Sequence, residues 1–168
     1  MNICGYYPES INEGDGLRAV VFLSGCRHRC GGCFNPETWN FNYGEPFTEP
    51  RQQEIITEMA NNPLLEGMTL AGGDPFFSAD EAADFIDKVR ISLPNFSVWI
   101  YTGYIYEDIM ARMDSAEYRL LQKCQVVIDG PFIESLKNTS LPYRGSSNQR
   151  IIDIQAILRH DDATLLKI

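Results

Sequence analysis

The chain has 168 residues, 44% of them hydrophobic, which fits one domain with an ordinary core. Its formal charge of −9, with no long basic run, argues against a nucleic-acid binder, because phosphate binding needs clustered positive charge. No stretch approaches the ~18 consecutive apolar residues that cross a bilayer, and the opening MNICGYYPES lacks the basic and apolar regions of a signal peptide. A cytoplasmic protein with no membrane contact, working on a protein or a small molecule, is therefore expected.

Apolar runs with little polar alternation mark buried strands, and AVVFL at 19–23 is the first. The loop SGCRHRCGGCFN, residues 24–35, follows it. A helix is predicted from near Thr48, with Pro50 in its first turn and Ile55, Ile56 and Met59 on its buried side. The second strand is MTLA at 68–71. The helix after it has Ser78 and Glu81 at capping-box spacing and Phe85, Ile86, Val89 and Leu93 recurring on one face. SVWIYT at 97–102 and QVVID at 125–129 are further strands, separated by helical pattern in two pieces between Ile105 and Lys123. RGSSNQR at 144–150 reads as loop, IIDI at 151–154 as a fifth strand, and HDDATLLKI at 160–168 as a loosely held tail.

Strands alternating with helices predict an α/β fold with a mostly parallel sheet in a single domain over residues 1–168, residues 151–168 forming a C-terminal extension. Four or five such units are too few for an eight-stranded barrel of about 250 residues, so a partial, open barrel is expected. Ligands of parallel α/β folds gather at the carboxyl ends of strands, which is where the cysteine-rich loop stands.

That loop holds Cys26, Cys30 and Cys33, three of five cysteines. An odd number cannot all pair, and in a reducing compartment a cysteine cluster more often serves metal or redox chemistry. Structural zinc takes four protein ligands, usually as two separated pairs, whereas three thiolates can hold three corners of a 4Fe-4S cubane and leave the fourth iron open. Gly25, Gly31 and Gly32 allow positive φ and close backbone approach. Arg27, His28 and Arg29 bring positive charge that favours thiolate, although such residues in a loop are ordinarily just solvated. A sensing cluster completed by Cys4 or Cys124, or a zinc site completed by distant residues, stays open at this point. Otherwise Cys4 and Cys124 read as small buried hydrophobes and His160 as a surface residue.

The spacing Cys26-x3-Cys30-x2-Cys33 after a strand, with the turn LAGGDP (residues 70–75) at the next strand's end, resembles the radical S-adenosylmethionine superfamily. The resemblance implies that the three thiolates hold a 4Fe-4S cluster whose open iron binds the amino and carboxylate groups of S-adenosylmethionine. It gives Gly72 and Gly73 an unusual backbone beside the cofactor and Asp74, where many members have Glu, the methionyl ammonium to accept from. GDGLRAVVFLSGC before the cluster loop and CFNPETW leaving it are similar to the glycyl-radical activating enzymes, nearest to those that serve the anaerobic class III ribonucleotide reductase. YYP, WNFNYGEPFT, WIYTGY, VVIDGPF and YRGSSNQR extend the likeness over residues 5–150. Gly32 stands where many members carry an aromatic residue, so the adenine contact is carried over to the Gly32 backbone and Phe34. Thr102 and Asp129, both at strand ends, are candidates for ribose or methionyl contacts, though each also reads as an ordinary strand end or turn.

By this resemblance, reductive cleavage of S-adenosylmethionine yields a 5′-deoxyadenosyl radical that takes an α-hydrogen from a glycine of the reductase, and no side-chain acid or base is required. Electrons would come from a separate low-potential carrier such as reduced flavodoxin, with Arg27 and Arg29 aiding an acidic donor. The rivals are a radical enzyme acting on a small molecule and a non-enzymatic iron-sulfur or zinc module.

Overall fold

The computed structural model describes residues 1–158; the expected tail and His160 lie outside them. The apolar runs become the centre of a seven-stranded sheet. Its strands are β1 (Asn2–Ser10), β2 (Arg18–Leu23), β3 (Glu45–Pro46), β4 (Gly67–Gly72), β5 (Ser97–Tyr101), β6 (Val126–Asp129) and β7 (Arg150–Asp153), in the order β3-β1-β2-β4-β5-β6-β7. The pairs β2/β4, β4/β5 and β5/β6 are parallel, while β1/β2, β1/β3 and β6/β7 are antiparallel. The sheet is thus mixed, with the expected parallel strands at its centre and antiparallel pairs at its two edges. β7 arrives from β6 through loop and short turns, and without a helical crossover the return strand runs antiparallel.

β1 and β3 escape the sequence pattern for a physical reason. Within β1 only Ile3 is buried, and its partner β3 contains Pro46, so neither shows the apolar run of a central strand.

The helices are α1 (Glu49–Ala60), α2 (Ala79–Ser92), α3 (Tyr106–Met110), α4 (Ala116–Leu121) and α5 (Ile154–Leu158). α1 begins after Thr48 and buries Ile55, Ile56 and Met59, as its spacing predicts. Ser78 precedes α2 but its side chain caps nothing, and Glu81 pairs with the amino terminus. The chain enters α2 already wound in the 3-10 turn Pro75–Ser78, so the orphan amide shifts to the start of that turn, where Asp74 accepts from Phe76 N at 2.9 Å.

Successive strand residues point to opposite faces. Ala19, Val21 and Leu23 pack with Met68, Leu70, Val98, Ile100 and Val127 against the buried residues of all five helices. The other face carries Trp99, Val126, Ile128 and Ile151, with Tyr101 and Tyr143 against them. Arg18 is buried on this face, where Thr69 Oγ1 and the carbonyls of Asp15, Met68 and Ser97 accept its hydrogens. No helix among the described residues is long and apolar enough to cross a membrane.

Candidate functional site

The loop after β2 is locked by close backbone contacts. Gly25 N donates to Thr38 O at 2.8 Å, Gly73 N to Leu23 O at 2.7 Å and Asp74 N to Gly25 O at 3.0 Å. A Cβ on Gly73 would stand 2.7 Å from Gly25 O and 2.9 Å from Thr38 O, so only glycine lets these three segments touch. In the cysteine loop Gly25 and Gly32 adopt φ of +105° and +71°, as expected. Gly31 shares with Gly32 the turn closed by Cys33 N donating to Cys30 O at 3.2 Å, but without a positive φ and with open space around it; the third left-handed position is Arg29, at φ +48°.

Cys26, Cys30 and Cys33 line one cavity of about 150 Å³. Phe34, Gly72, Gly73 and Thr102 share its wall, together with His28 and Gly103. Gly32, Asp74 and Asp129 do not: Gly32 packs beside the Glu134 side chain, and both aspartates are buried behind the wall. Burial pushes the Cys26 thiol up to about 11, with backbone hydrogen bonds from His28 and Arg29 opposing it. Desolvation therefore dominates at Cys26, and a metal must displace this proton.

The donor set fits a 4Fe-4S cluster. Among the described residues no three His, Cys, Asp or Glu converge tightly enough to hold a single metal ion. The three thiols instead surround a shared space, as a cluster requires when each thiolate ligates a separate iron. Cys4 donates to Phe22 O at 3.3 Å and Cys124 to Leu121 O at 3.1 Å, and neither lines the cavity.

Asp74 is a hub under the cavity wall, 2% exposed. Its Oδ1 accepts from Phe76 N, and its Oδ2 accepts from His28 Nε2, Thr102 Oγ1 and Gly103 N, all at 2.9 Å. Four bonds use the lone-pair capacity of a carboxylate. Its loop position predicts a solvated His28, yet the ring packs 5.0 Å from Phe77 and 4.8 Å from Tyr104. The signal for it is absent from local sequence, because its partners lie 46 or more residues away. Asp129 accepts from Tyr106 N at 2.8 Å and from the Arg150 fork, whose other nitrogen contacts reach Glu107 at 2.7 and 2.9 Å. Arg150 holds the Glu107 carboxyl below its usual range, and the two carboxylates raise the arginine.

Two further concavities flank the site. One of about 440 Å³ shares Phe34, Asn35, Gly72, Tyr101, Phe132 and Gln149 with the thiol cavity and spreads over the sheet face opposite the helices of the described residues. The other, about 1050 Å³ and open, carries Cys26 with Arg27, Arg29, Trp39, Phe41 and Tyr43.

A family model described as a 4Fe-4S single cluster domain matches residues 12–152. The chain is similar to the anaerobic ribonucleoside-triphosphate reductase-activating protein of Escherichia coli (strain K12), with 36% identity over 152 residues, 89% of this chain and 96% of the relative. The protein of that name from Haemophilus influenzae is 35% identical over 154 residues, 90% of this chain and 97% of its own. That of Enterobacteria phage T4 is 34% identical over 164 residues, 96% of this chain and 100% of its own. With identity of this level along nearly the whole chain and a cluster-fitting thiol trio, the chain belongs to the family of anaerobic ribonucleoside-triphosphate reductase-activating proteins, built on a 4Fe-4S single cluster domain.

Proposed function

We propose that this protein activates an anaerobic class III ribonucleotide reductase by reductive cleavage of S-adenosylmethionine at a 4Fe-4S cluster held by Cys26, Cys30 and Cys33. When bound, the cluster supplies the electron that splits a carbon–sulfur bond of the sulfonium, giving methionine and a 5′-deoxyadenosyl radical that takes an α-hydrogen from one glycine of the reductase. The observation that carries this reading is the meeting of the three thiols with Gly72, Gly73 and Thr102 on one wall that adjoins a groove on the sheet face opposite the described helices. The open sheet, with its helices packed to one side, supports a partial barrel of the radical S-adenosylmethionine type.

The residues have separate tasks in this scheme. Gly72 and Gly73 expose backbone to the methionyl end, Phe34 offers a ring face to the adenine, and Thr102 stands at the ribose or methionyl end. Asp74 is a positioning residue, since its oxygens already hold His28, Thr102 and Gly103 in place. Asp129 positions β7 and α3 through Arg150 and Tyr106. Gly32 lets the loop turn at the edge of the cavity.

Anaerobic reconstitution with iron and sulfide, followed by reduction with S-adenosylmethionine and purified reductase, tests the reading. Appearance of 5′-deoxyadenosine together with a glycyl-radical spectrum is expected. Cleavage without a glycyl radical would favour a small-molecule substrate, and a metal bonded only to polypeptide, with no cleavage, would overturn the scheme.

The electron donor is proposed to be an acidic low-potential protein such as flavodoxin. Arg27 and Arg29 are exposed on the open concavity behind Cys26, in a chain that is otherwise strongly acidic. The double reversal Arg27→Glu, Arg29→Glu is expected to slow reduction by flavodoxin about tenfold at low salt, with the gap narrowing as salt rises. Reduction by dithionite serves as control, and equal flavodoxin rates in the two proteins would remove the assignment.

A further inference from the structure

The 440 Å³ cavity carries a charged group that the proposed cofactor chemistry leaves unused. One side of it is built by the segment YRGSSNQR, which contributes Tyr143, Arg144, Gly145 and Gln149. This segment is rigidly tied to the end of β6. Gln149 Oε1 accepts from Gly145 N at 2.9 Å and Ser146 N at 3.2 Å, while its Nε2 donates to Gly130 O at 3.1 Å. Asn148 Nδ2 donates to Pro131 O at 2.8 Å. Tyr143 sits at φ +57°, a region bulky side chains rarely enter, and its ring stands edge-on to Trp99 at 5.5 Å. Strain of this kind persists only where the surroundings over-determine it, and it concentrates at binding sites.

The next residue is Arg144. Among the described residues no carboxylate pairs with it, and its guanidinium makes only two long hydrogen bonds, each 3.4 Å, to the carbonyls of Pro142 and Gln149. Arg150, six residues on, is by contrast shared between Asp129 and Glu107, and the buried Arg18 is satisfied by carbonyls and Thr69. Glu13, on the same wall, is engaged by Ser10 instead of Arg144. A guanidinium held by a stiff loop, with donors in reserve and facing a cavity, is pre-organised for a planar two-oxygen acceptor.

We propose that Arg144 binds a carboxylate side chain of the polypeptide that presents the target glycine, and so sets how that segment lies in the groove beside the thiol cavity. This rests on the activating role proposed above. The loop's internal bonds mean that little ordering is needed when the partner arrives, which favours affinity.

The test uses full-length protein, reconstituted and reduced with dithionite, with purified reductase titrated against Arg144→Ala, Arg144→Lys and Arg144→Glu. Iron content, thermal midpoint and 5′-deoxyadenosine formation without reductase are expected to match the unsubstituted protein. The reductase concentration giving half-maximal glycyl radical is expected to rise roughly 10- to 100-fold for Arg144→Ala, the span of a charged hydrogen bond, further for Arg144→Glu, and less for Arg144→Lys. Unchanged half-saturation in Arg144→Ala and Arg144→Glu would overturn the proposal, as would a matching loss of cleavage without reductase, which would place Arg144 at the cofactor. Failure of the activating role itself is separately visible: the unsubstituted protein would then yield no glycyl radical at any reductase concentration.

Discussion

Replacing any one of Cys26, Cys30 or Cys33 by alanine is expected to abolish cleavage of S-adenosylmethionine, a loss of at least about a thousandfold, because two thiolates cannot fill the roles of three cluster ligands. All three thiols line one cavity, and the remaining cysteines are already committed elsewhere. Cys4 lies 18 residues before its acceptor Phe22 on the neighbouring strand, and Cys124 is fully buried, its thiol pushed up to about 12 by that burial. Neither stands ready to replace a lost ligand. Cys4→Ala and Cys124→Ala should therefore retain full iron content, with Cys124→Ala costing about 1–2 kcal/mol of stability through the small cavity it leaves. Iron and sulfide analysis after reconstitution, with chromatography of 5′-deoxyadenosine, separates the two classes. Iron loss in Cys4→Ala, or retained cleavage in a variant of the trio, would show that the ligand set is drawn wrongly.

Asp74→Ala should have the second-largest effect. The substitution removes the acceptor from two backbone amides, one hydroxyl and one imidazole at a site that is almost wholly buried. A buried donor left without a partner costs about 1–3 kcal/mol, and even with water entering the space a net loss of about 3–5 kcal/mol is expected. Asp74→Asn retains one oxygen but turns the other end into a donor, facing donors, so a smaller loss of about 1–3 kcal/mol should follow. His28→Ala severs one of the four bonds to Asp74 and removes the ring packed against Phe77 and Tyr104. It should keep the cluster iron while weakening S-adenosylmethionine binding, read by equilibrium dialysis of the reconstituted protein. Denaturant unfolding of the three variants orders these effects; identical midpoints for Asp74→Ala and the unsubstituted protein would mean that the hub carries no structural load.

The same contrast between local and long-range information governs the rest of the molecule. β2, β4, β5 and β6 are legible because both faces of each are buried, which leaves continuous apolar runs. α1 is legible because Ile55, Ile56 and Met59 recur on one helical face. β1 and β3 leave almost no such trace, and the antiparallel direction of β7 depends on the path of the loop before it. Ser78 and Glu81 have the spacing of a cap, but the turn that starts at Pro75 moved the cap to Asp74.

The cysteine trio could be read from the chain alone, since its ligands fall within eight residues and covalent reach confines them to one neighbourhood. The glycine pair before Asp74 was legible for a similar reason, as a turn at a strand end. What the sequence by itself determined was therefore the chemistry on offer: three thiols, a glycine turn and a bundle of α/β units to mount them. Only the tertiary structure decided which polar groups face the cavity and which lie behind it. Asp74 and Asp129 carry the same functional group as any cavity ligand, but packing of β5, α3 and β7 surrounds them with donors, and a buried carboxylate is held by whatever donors the fold brings to it.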